Sequence, residues 1–373
     1  MTFFFEVMIG GLLAGVMYSL VALGFVLIFK ASGVFNFAQG AMVLFAALTL
    51  ARLADKIDDK DVHLVHFVVV AAILGVALAL IGWWVWREYG ARGAGPAERR
   101  KITALAGAGA LIGGAVAFAY GKGAWPMWLA FAGTAAVMGL LAYAIERLVL
   151  RHLVNQEGII LFMATLGIAY FLEGFGQAVW GSNVYSIEIG LPKEPLFLFE
   201  SVFEGGLLVD RGELVCAVIA LAMVVVLGVF FQKTRIGRAL RAVADDHAAA
   251  QSVGIPLNTI WLIVWTVSGL VALVAGMIWG AKLGVQFSIS LVALKALPVL
   301  ILGGFTSVPG AIVGGLIIGA GEKLSEVFLA PVLVKAFDLA GGGIENWFAY
   351  VLALVFLLFR PQGLFGERII ERV

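Results

Sequence analysis

Between Glu213 and Ala281 the chain reads ELVCAVIALAMVVVLGVFF, then QKTRIGRALRAVADDHAAAQSVGIPLN, then TIWLIVWTVSGLVALVAGMIWGA. The outer runs, 213–231 and 259–281, hold a single charged residue, Glu213. Each has roughly the 20 apolar residues that an α-helix needs to cross the hydrocarbon of a bilayer. Residues 233–256 between them are of another kind. Ile236, Ala239, Leu240, Val243, Ala250 and Val253 recur at helical spacing, whereas Arg238, Arg241 and Asp245 fall on a different face. Arg241 and Asp245 stand four apart, a favourable separation for a weak surface pair. Gly254 and Pro256 then stop the helix before the next apolar run. The pattern is an amphipathic helix tethered at both ends to membrane spans, and it sets the class of the chain: an all-α integral membrane protein.

The same alternation continues in both directions. Of 373 residues 62% are hydrophobic and only 13% charged, with a mean hydropathy of +1.04. A soluble domain has roughly a quarter of its residues charged and just under half apolar, so a water-soluble globule is excluded. Apolar runs lie near 8–29, 34–54, 63–86, 102–120, 124–146, 158–181, 213–231, 259–281, 292–305, 308–326 and 346–360. They predict one polytopic domain, 1–373, built from about 10–11 transmembrane or re-entrant helices. The ninth run is short and carries Pro298, so it reads either as a span or as a re-entrant element. Residues 1–30 carry no Lys or Arg before Lys30 and read as a retained first span rather than a cleaved signal. The net charge of +1 gives no overall field to attract nucleic acid. Cys216, the single cysteine, sits in an apolar run, where it reads as plain packing.

Lys and Arg are retained on the cytoplasmic side during insertion, so their distribution predicts sidedness. With the N-terminus outside and the C-terminus inside, 15 basic residues fall inside and 9 outside, leaving Lys295 within the membrane. The inside set is Lys30, the basic loop 87–101, Arg147 and Arg151, Lys233 to Arg241, and Arg360, Arg368 and Arg372. Outside lie a short acidic cap, Asp55 to Asp61, and a longer loop, 182–212, with Pro192, Pro195 and five acidic residues, Glu188, Glu194, Glu200, Glu204 and Asp210. That periplasmic loop lacks periodicity and reads either as a lid or as a landing surface for an external partner.

Several residues inside the apolar runs need reasons. SGVFNFAQG sets Asn36 and Gln39 three apart, hence on one helix face, after a break at Ser32 and Gly33. GGFTSVPGAIVGG offers Thr306 or Ser307 as an N-cap ahead of Pro309. Helix starts of this kind present unpaired N–H groups that suit the carboxylate of an amino acid, and equally suit ordinary capped ends at the membrane surface. Glycines recur four apart at Gly11 and Gly15, Gly109 and Gly113, Gly276 and Gly280, Gly310 and Gly314, and Gly315 and Gly319. In lipid such pairs let helices approach closely. A charge at the bilayer centre costs about 2.5 to 3.5 kcal/mol on insertion scales. Glu173, with Gln177 one turn on, either lines a polar opening or snorkels outward; Lys295 either snorkels or pairs with Glu322, and Glu322 and Lys323 fall near the outer end of their run.

The helical segment R-I-G-R-A-L-R-A (235–242), followed by Asp245 and Asp246, an alanine run and Gly254-Ile255, closely resembles the coupling loop of the permease subunits of branched-chain amino-acid ABC importers. Three further blocks match in order. Tyr18-Ser19-Leu20, Ala22-Leu23-Gly24 and Ser32 to Gly40 resemble the first; Leu294-Lys295-Ala296, Leu302-Gly303-Gly304 and Pro309 to Gly315 the glycine-rich block; Arg360 to Gly366 the terminal one. The resemblance implies a subunit of the bacterial inner membrane that moves branched-chain or other hydrophobic amino acids, or related small solutes, from periplasm to cytoplasm. It is no enzyme itself, and no G-x-x-x-x-G-K-[ST] phosphate loop occurs. The implied partners are two cytoplasmic ATPase subunits that bind the ATP, a second, paralogous permease and a periplasmic solute-binding protein. By this likeness the helix in 233–256, with Arg235, Gly237, Arg238, Arg241, Asp245 and Gly254, docks on the ATPase. Tyr18, Asn36, Gln39, Glu173, Gln177 and Ser307 are the candidate substrate pathway. Residues 56–121 depart from the pattern and read as an inserted helical hairpin carrying the basic loop. No catalytic residue, metal site or cofactor is expected. Two other classes remain open: an ATP-independent channel or secondary transporter built on broken helices, and a membrane enzyme, against which the dispersal of His63, His66, His152 and His247 speaks.

Overall fold

The computed structural model describes residues 2–33, 35–54, 126–153, 156–192, 194–200, 203, 205–245, 247–338 and 343–366, and at 245, 247 and 248 the backbone only. The predicted spans 63–86 and 102–120, the acidic cap, the inserted hairpin with its basic loop, Gly109 and Gly113, and Arg368 and Arg372 lie outside the described residues. In chain order the helices are α1 (Thr2–Ser32), α2 (Gln39–Ala54), α3 (Met127–Leu148), α4 (Gly158–Trp180), α5 (Arg211–Lys233), α6 (Arg235–Asp245), α7 (His247–Ser252), α8 (Leu257–Leu283), α9 (Val292–Gly303), α10 (Val308–Leu324), α11 (Ala330–Phe337) and α12 (Ile344–Phe359). The fold is all-α. Among the described residues five helices are long and apolar enough to cross a membrane, α1, α3, α4, α5 and α8, and a sixth crossing arises if the bent pair 287–303 and 308–337 counts as one.

α1 is apolar on every side, and from Met17 to Ile28 all of its residues are buried, as expected of a helix enclosed by others. α2 and α8 flank it. The rim differs: Val218, Leu221, Val225, Val226 and Val229 of α5, with Ile159, Met163, Tyr170 and Phe171 of α4, stand exposed. In water such faces would aggregate; against lipid chains they cost nothing.

The small-residue spacing works as read at Gly11, Gly15 and Gly276, whereas Gly280 faces the Ile187 and Val285 side chains rather than another helix. A Cβ on Gly11 would lie 2.8 Å from the Ala320 Cα, one on Gly15 2.9 Å from the Leu316 Cα, and one on Gly276 2.6 Å from the Val43 carbonyl oxygen. Backbone cannot yield as a side chain does, so these contacts hold α1 against α10 and α2 against α8 at a distance that only glycine permits.

The ninth and tenth apolar runs form a broken element. The helical pieces 287–303 and 308–337 are bent by 114° at the break, the geometry of a broken span or a re-entrant loop. Pro298 inside α9 has no N–H to give the Leu294 carbonyl one turn earlier; the Tyr350 hydroxyl of α12 donates to that oxygen instead, at 2.7 Å. The C-terminus of α9 is closed by the chain's last segment, with Leu364 N donating to Leu302 O (2.8 Å) and Phe365 N to Gly303 O (3.1 Å). α10 starts on Ser307, whose Oγ accepts from Gly310 N at 3.0 Å. A π turn, Ser325–Leu329, then interrupts the helix directly after α10.

Two sequence expectations need correction. The loop 182–212 is not without regular structure: Pro195–Leu198 (β1) pairs antiparallel with Leu207–Asp210 (β2), burying Leu207 and Val209 in alternation. The second span begins at Gln39, not at 34, because Gly33 at φ +69° ends α1 and turns the chain.

Candidate functional site

At one end of the bundle α6 bridges α5 and α8. Thr234 opens it: its Oγ1 donates to Phe230 O (2.6 Å) and accepts from Gly237 N (3.0 Å). Gly237 is tucked against the last turn of α5, where a Cβ would meet the Phe230 and Phe231 carbonyls. The apolar face is turned inward, burying Leu240, Val243 and, from α7, Ala250, while Arg235, Arg238 and Arg241 are exposed. The chain's own helices take most of the predicted apolar face, and the basic face points away; Val253, assigned to the apolar face by its spacing, is instead exposed, because it lies past the end of α7. Gly254 sits at φ +85° after α7, with Gly254 N donating to Gln251 O and Ile255 N to Ala250 O, both at 3.0 Å, a left-handed helix stop. The pair foreseen between Arg241 and Asp245 rests on a side chain outside the described residues.

A cavity of about 210 Å³ lies beside α6, between Leu240 and Arg241, the α1 end at Lys30, Thr306 to Pro309 of the broken turn, and Phe365. Lys30, α6 and the segment after Arg360, which the basic residues assigned to one side, thus meet at one end of the molecule together with the turn 306–309. Ser307 belongs to this end.

Asn36 and Gln39 are both fully buried and in contact, Asn36 Nδ2 donating to Gln39 Oε1 at 3.3 Å. They do not share a helix face. Asn36 precedes α2, where its Oδ1 accepts from Ala38 N at 3.1 Å, a turn held by its own side chain. Gln39 Oε1 also accepts from Ser268 Oγ of α8 at 2.7 Å, while its Nε2 lies on Gly24 without a hydrogen-bond partner among the described residues. The cluster ties α1, α2 and α8 together. A second cavity, of about 220 Å³, runs alongside, lined by Phe25, Phe35, Phe37, Leu294, Leu297 and, at its rim, Glu173. Gln177 is exposed and does not line it.

Tyr18 lies elsewhere. Its hydroxyl donates to Glu322 Oε1 at 3.2 Å, the Lys295 ammonium donates to the same oxygen at 2.6 Å, and Trp279 stacks on the Tyr18 ring at 5.6 Å. Glu322 stands near the end of α10, as the sequence had placed it, with Ala320 and Lys323 beside Gly11 of α1; the Tyr18 side chain reaches along α1 to meet it.

A family model described as "Branched-chain amino acid transport system / permease component" matches residues 7–92 and 103–360. The chain belongs to that permease family. It is therefore a multi-pass inner-membrane transporter component rather than an enzyme, of a family that works with ATPase and binding-protein partners. The permease is 24% identical over 383 aligned residues to the Escherichia coli (strain K12) high-affinity branched-chain amino acid permease LivH, covering 100% of this chain and 98% of that one. It is 29% identical to BraD of Pseudomonas aeruginosa over 66% of this chain and 77% of BraD, and 30% identical to the probable LivH of Methanocaldococcus jannaschii over 62% and 71%. Among solved structures, PsaBC from Streptococcus pneumoniae in complex with Fab aligns over 95% of the permease at 14% identity with a TM-score of 0.41.

Of the pathway candidates in the permease, Asn36 and Gln39 come together, Glu173 faces the adjoining cavity, and Tyr18, Gln177 and Ser307 stand apart. Sequence reasoning missed Ser268 and Trp279. Neither carries a local signal, since each acts through a partner on a distant helix. It also missed the terminal segment's part in closing α9, which the positive φ of Gly304 and Gly363 makes possible (+102° and +78°).

Proposed function

We propose that this permease is the membrane half of an importer that carries branched-chain or other hydrophobic amino acids from periplasm to cytoplasm, N-terminus out and C-terminus in. Two ATPase subunits dock on the 233–256 loop and a second, paralogous permease completes the pathway. A periplasmic binding protein delivers the substrate to the end that carries residues 182–212. The permease needs no cofactor of its own, ATP being bound by its partners. One observation carries the coupling reading: α6 has its apolar face committed to its own bundle and presents Arg235, Arg238 and Arg241 outward between two spans. A lipid-bound amphipathic helix would do the reverse, facing its apolar side away from the protein. The substrate class is supported by what LivH and BraD are named for, and by an apolar, phenylalanine-lined cavity.

Displacement of α6 pulls on α5 and α8, whose opposite ends are joined by Lys282 and Glu213 at 2.7 Å. The two spans then tilt as a unit, a rigid-body switch between packed arrangements. The test is the assembled complex in proteoliposomes. Arg238→Glu should abolish substrate-stimulated ATP hydrolysis while the permease still inserts; full stimulation in that variant overturns the docking role. Uptake in ATP-free liposomes by the permease alone would favour a channel or secondary transporter.

A further inference from the structure

We propose that Glu173, at the rim of the cavity of about 220 Å³ between α2, α4 and the start of α9, takes the α-ammonium of an amino acid in transit while the substrate's side chain enters the phenylalanine-lined space beside it. This rests on the import reading above and names the residue that holds the substrate's cation.

Glu173 is out of place on an apolar helix. It is the one charged residue of the 23-residue α4 and stands two turns before the helix ends at Trp180. Snorkelling is the escape of long side chains such as Lys and Arg. The glutamate stem is two methylenes, and two turns are about 11 Å of helix. Among the described residues its carboxylate has neither a hydrogen bond nor an ion pair. An ionised side chain within a membrane span faces the protein interior or a water-filled space rather than lipid, and Glu173 borders such a space. The exposed face of α5, made of Val218, Leu221, Val225, Val226 and Val229, carries no such charge.

The surroundings of Glu173 are ordered along the helix. Tyr170, Glu173 and Gln177 recur at three and four residues, hence on one side of α4. Gln177 is exposed and lies beyond the cavity, whereas Tyr170, Ala169 and Leu166 continue its lining towards the helix start. Phe25, Phe35 and Phe37 close it from α1 and the turn before α2, the Phe25 and Phe35 rings stacking at 4.7 Å. A polar approach, one anion and then an aromatic pocket follow in that order, which matches an α-amino acid with an apolar side chain. The cavity opens between α4 and α9, where Tyr170, Leu291 and Leu294 are exposed. No lysine or arginine is among the described residues that line it, so the substrate's carboxylate stays at this mouth, in water. A lipid acyl chain in the same groove would leave the Glu173 carboxylate without a partner in hydrocarbon, the costlier state. An arriving ammonium gives it a charge-assisted hydrogen bond instead.

The experiment uses the full complex with its binding protein in proteoliposomes, reading leucine uptake and ATP hydrolysis together. Glu173→Gln removes the charge and keeps the shape. Leucine uptake should fall by about tenfold or more while binding-protein-stimulated hydrolysis stays within about twofold of the parent. The unfolding temperature of the solubilised permease should not drop, because Glu173 gives up no partner within the chain. Glu173→Asp keeps an anion and should retain most of the uptake. Ala169→Phe, one turn before Glu173, fills the cavity and should lower leucine uptake per ATP in the same way. The site is overturned if Glu173→Gln moves leucine at the parental ratio per ATP, or if uptake and hydrolysis fall in proportion, as a structural role would make them do. It is overturned also if Glu173→Asp is as inactive as Glu173→Gln, or if the loss occurs only in liposomes containing phosphatidylethanolamine, which would assign the carboxylate to a lipid ammonium. Failure of the parent complex itself to import leucine would instead overturn the import reading.

Discussion

The most telling contact at the scale of single residues is the buried carboxylate of Glu322, because its two partners are unequal in their freedom. Replacing Lys295 by Met strands a buried anion and should cost about 3 kcal/mol. Replacing Glu322 by Gln strands a cation that already reaches an open side, and should cost about 1 kcal/mol. Thermal unfolding of the detergent-solubilised permease should therefore rank Lys295→Met below Glu322→Gln, with the double replacement more stable than Lys295→Met; additive losses would mean that the pair is not coupled. The need for a partner at Lys295 was legible in the sequence, since a charge in an apolar run demands one. So was its place near the end of the run, since α10 lies along α1 with Ala320 and Lys323 beside Gly11. The Tyr18 hydroxyl, 304 residues away in the chain, had no local signal to give.

Elements were read well where periodicity is strong and poorly where a backbone break governs. The α6 pattern gave the helix and both its faces, but not which face the protein keeps. That follows only from seeing α5 and α8 return to the same place. The consequence is sharpest at Gly237. As a docking residue it would tolerate Ala, which adds one methyl to a surface. Buried against the carbonyls of Phe230 and Phe231, it should not. Gly237→Ala is expected to lower the unfolding temperature, at a cost of about 1–3 kcal/mol, and to weaken coupling by tilting α6, although no partner contact is removed. A variant with parental stability and parental coupling would reject that geometry. A gentler test applies at the kink of α9: Tyr350→Phe leaves the Leu294 carbonyl without its donor and should cost about 1 kcal/mol in unfolding experiments, whereas a neutral result would show that carbonyl to be served by another group.

For the whole molecule the decisive quantity is sidedness, and here sequence and geometry supply different halves. Lys30, Arg241 and the turn 306–309 line one cavity, and the Glu6 carboxylate accepts from Leu208 N (2.9 Å) within the β1–β2 region at the other end. The ends are therefore sorted by geometry without being named. Naming them falls to electrostatics, because basic loops resist export and the N-out reading of the sequence places 15 of its basic residues inside, Lys30 and Arg241 among them. Two exposed positions, Glu188 in the β-ribbon loop and Arg238 on α6, convert this into a measurement. In a background with Cys216→Ala, which removes a buried thiol, Glu188→Cys should react with a membrane-impermeant maleimide in intact cells. Arg238→Cys should react only after permeabilisation. The reverse pattern would put the exposed arginines where no ATPase can reach them, and would end the coupling role of α6 whatever the activity of the complex. Labelling at both positions from outside would have a different meaning: with α5 alone linking the two regions, it would require that α5 not cross the membrane, against its 23 apolar-rich residues and its exposed valine face.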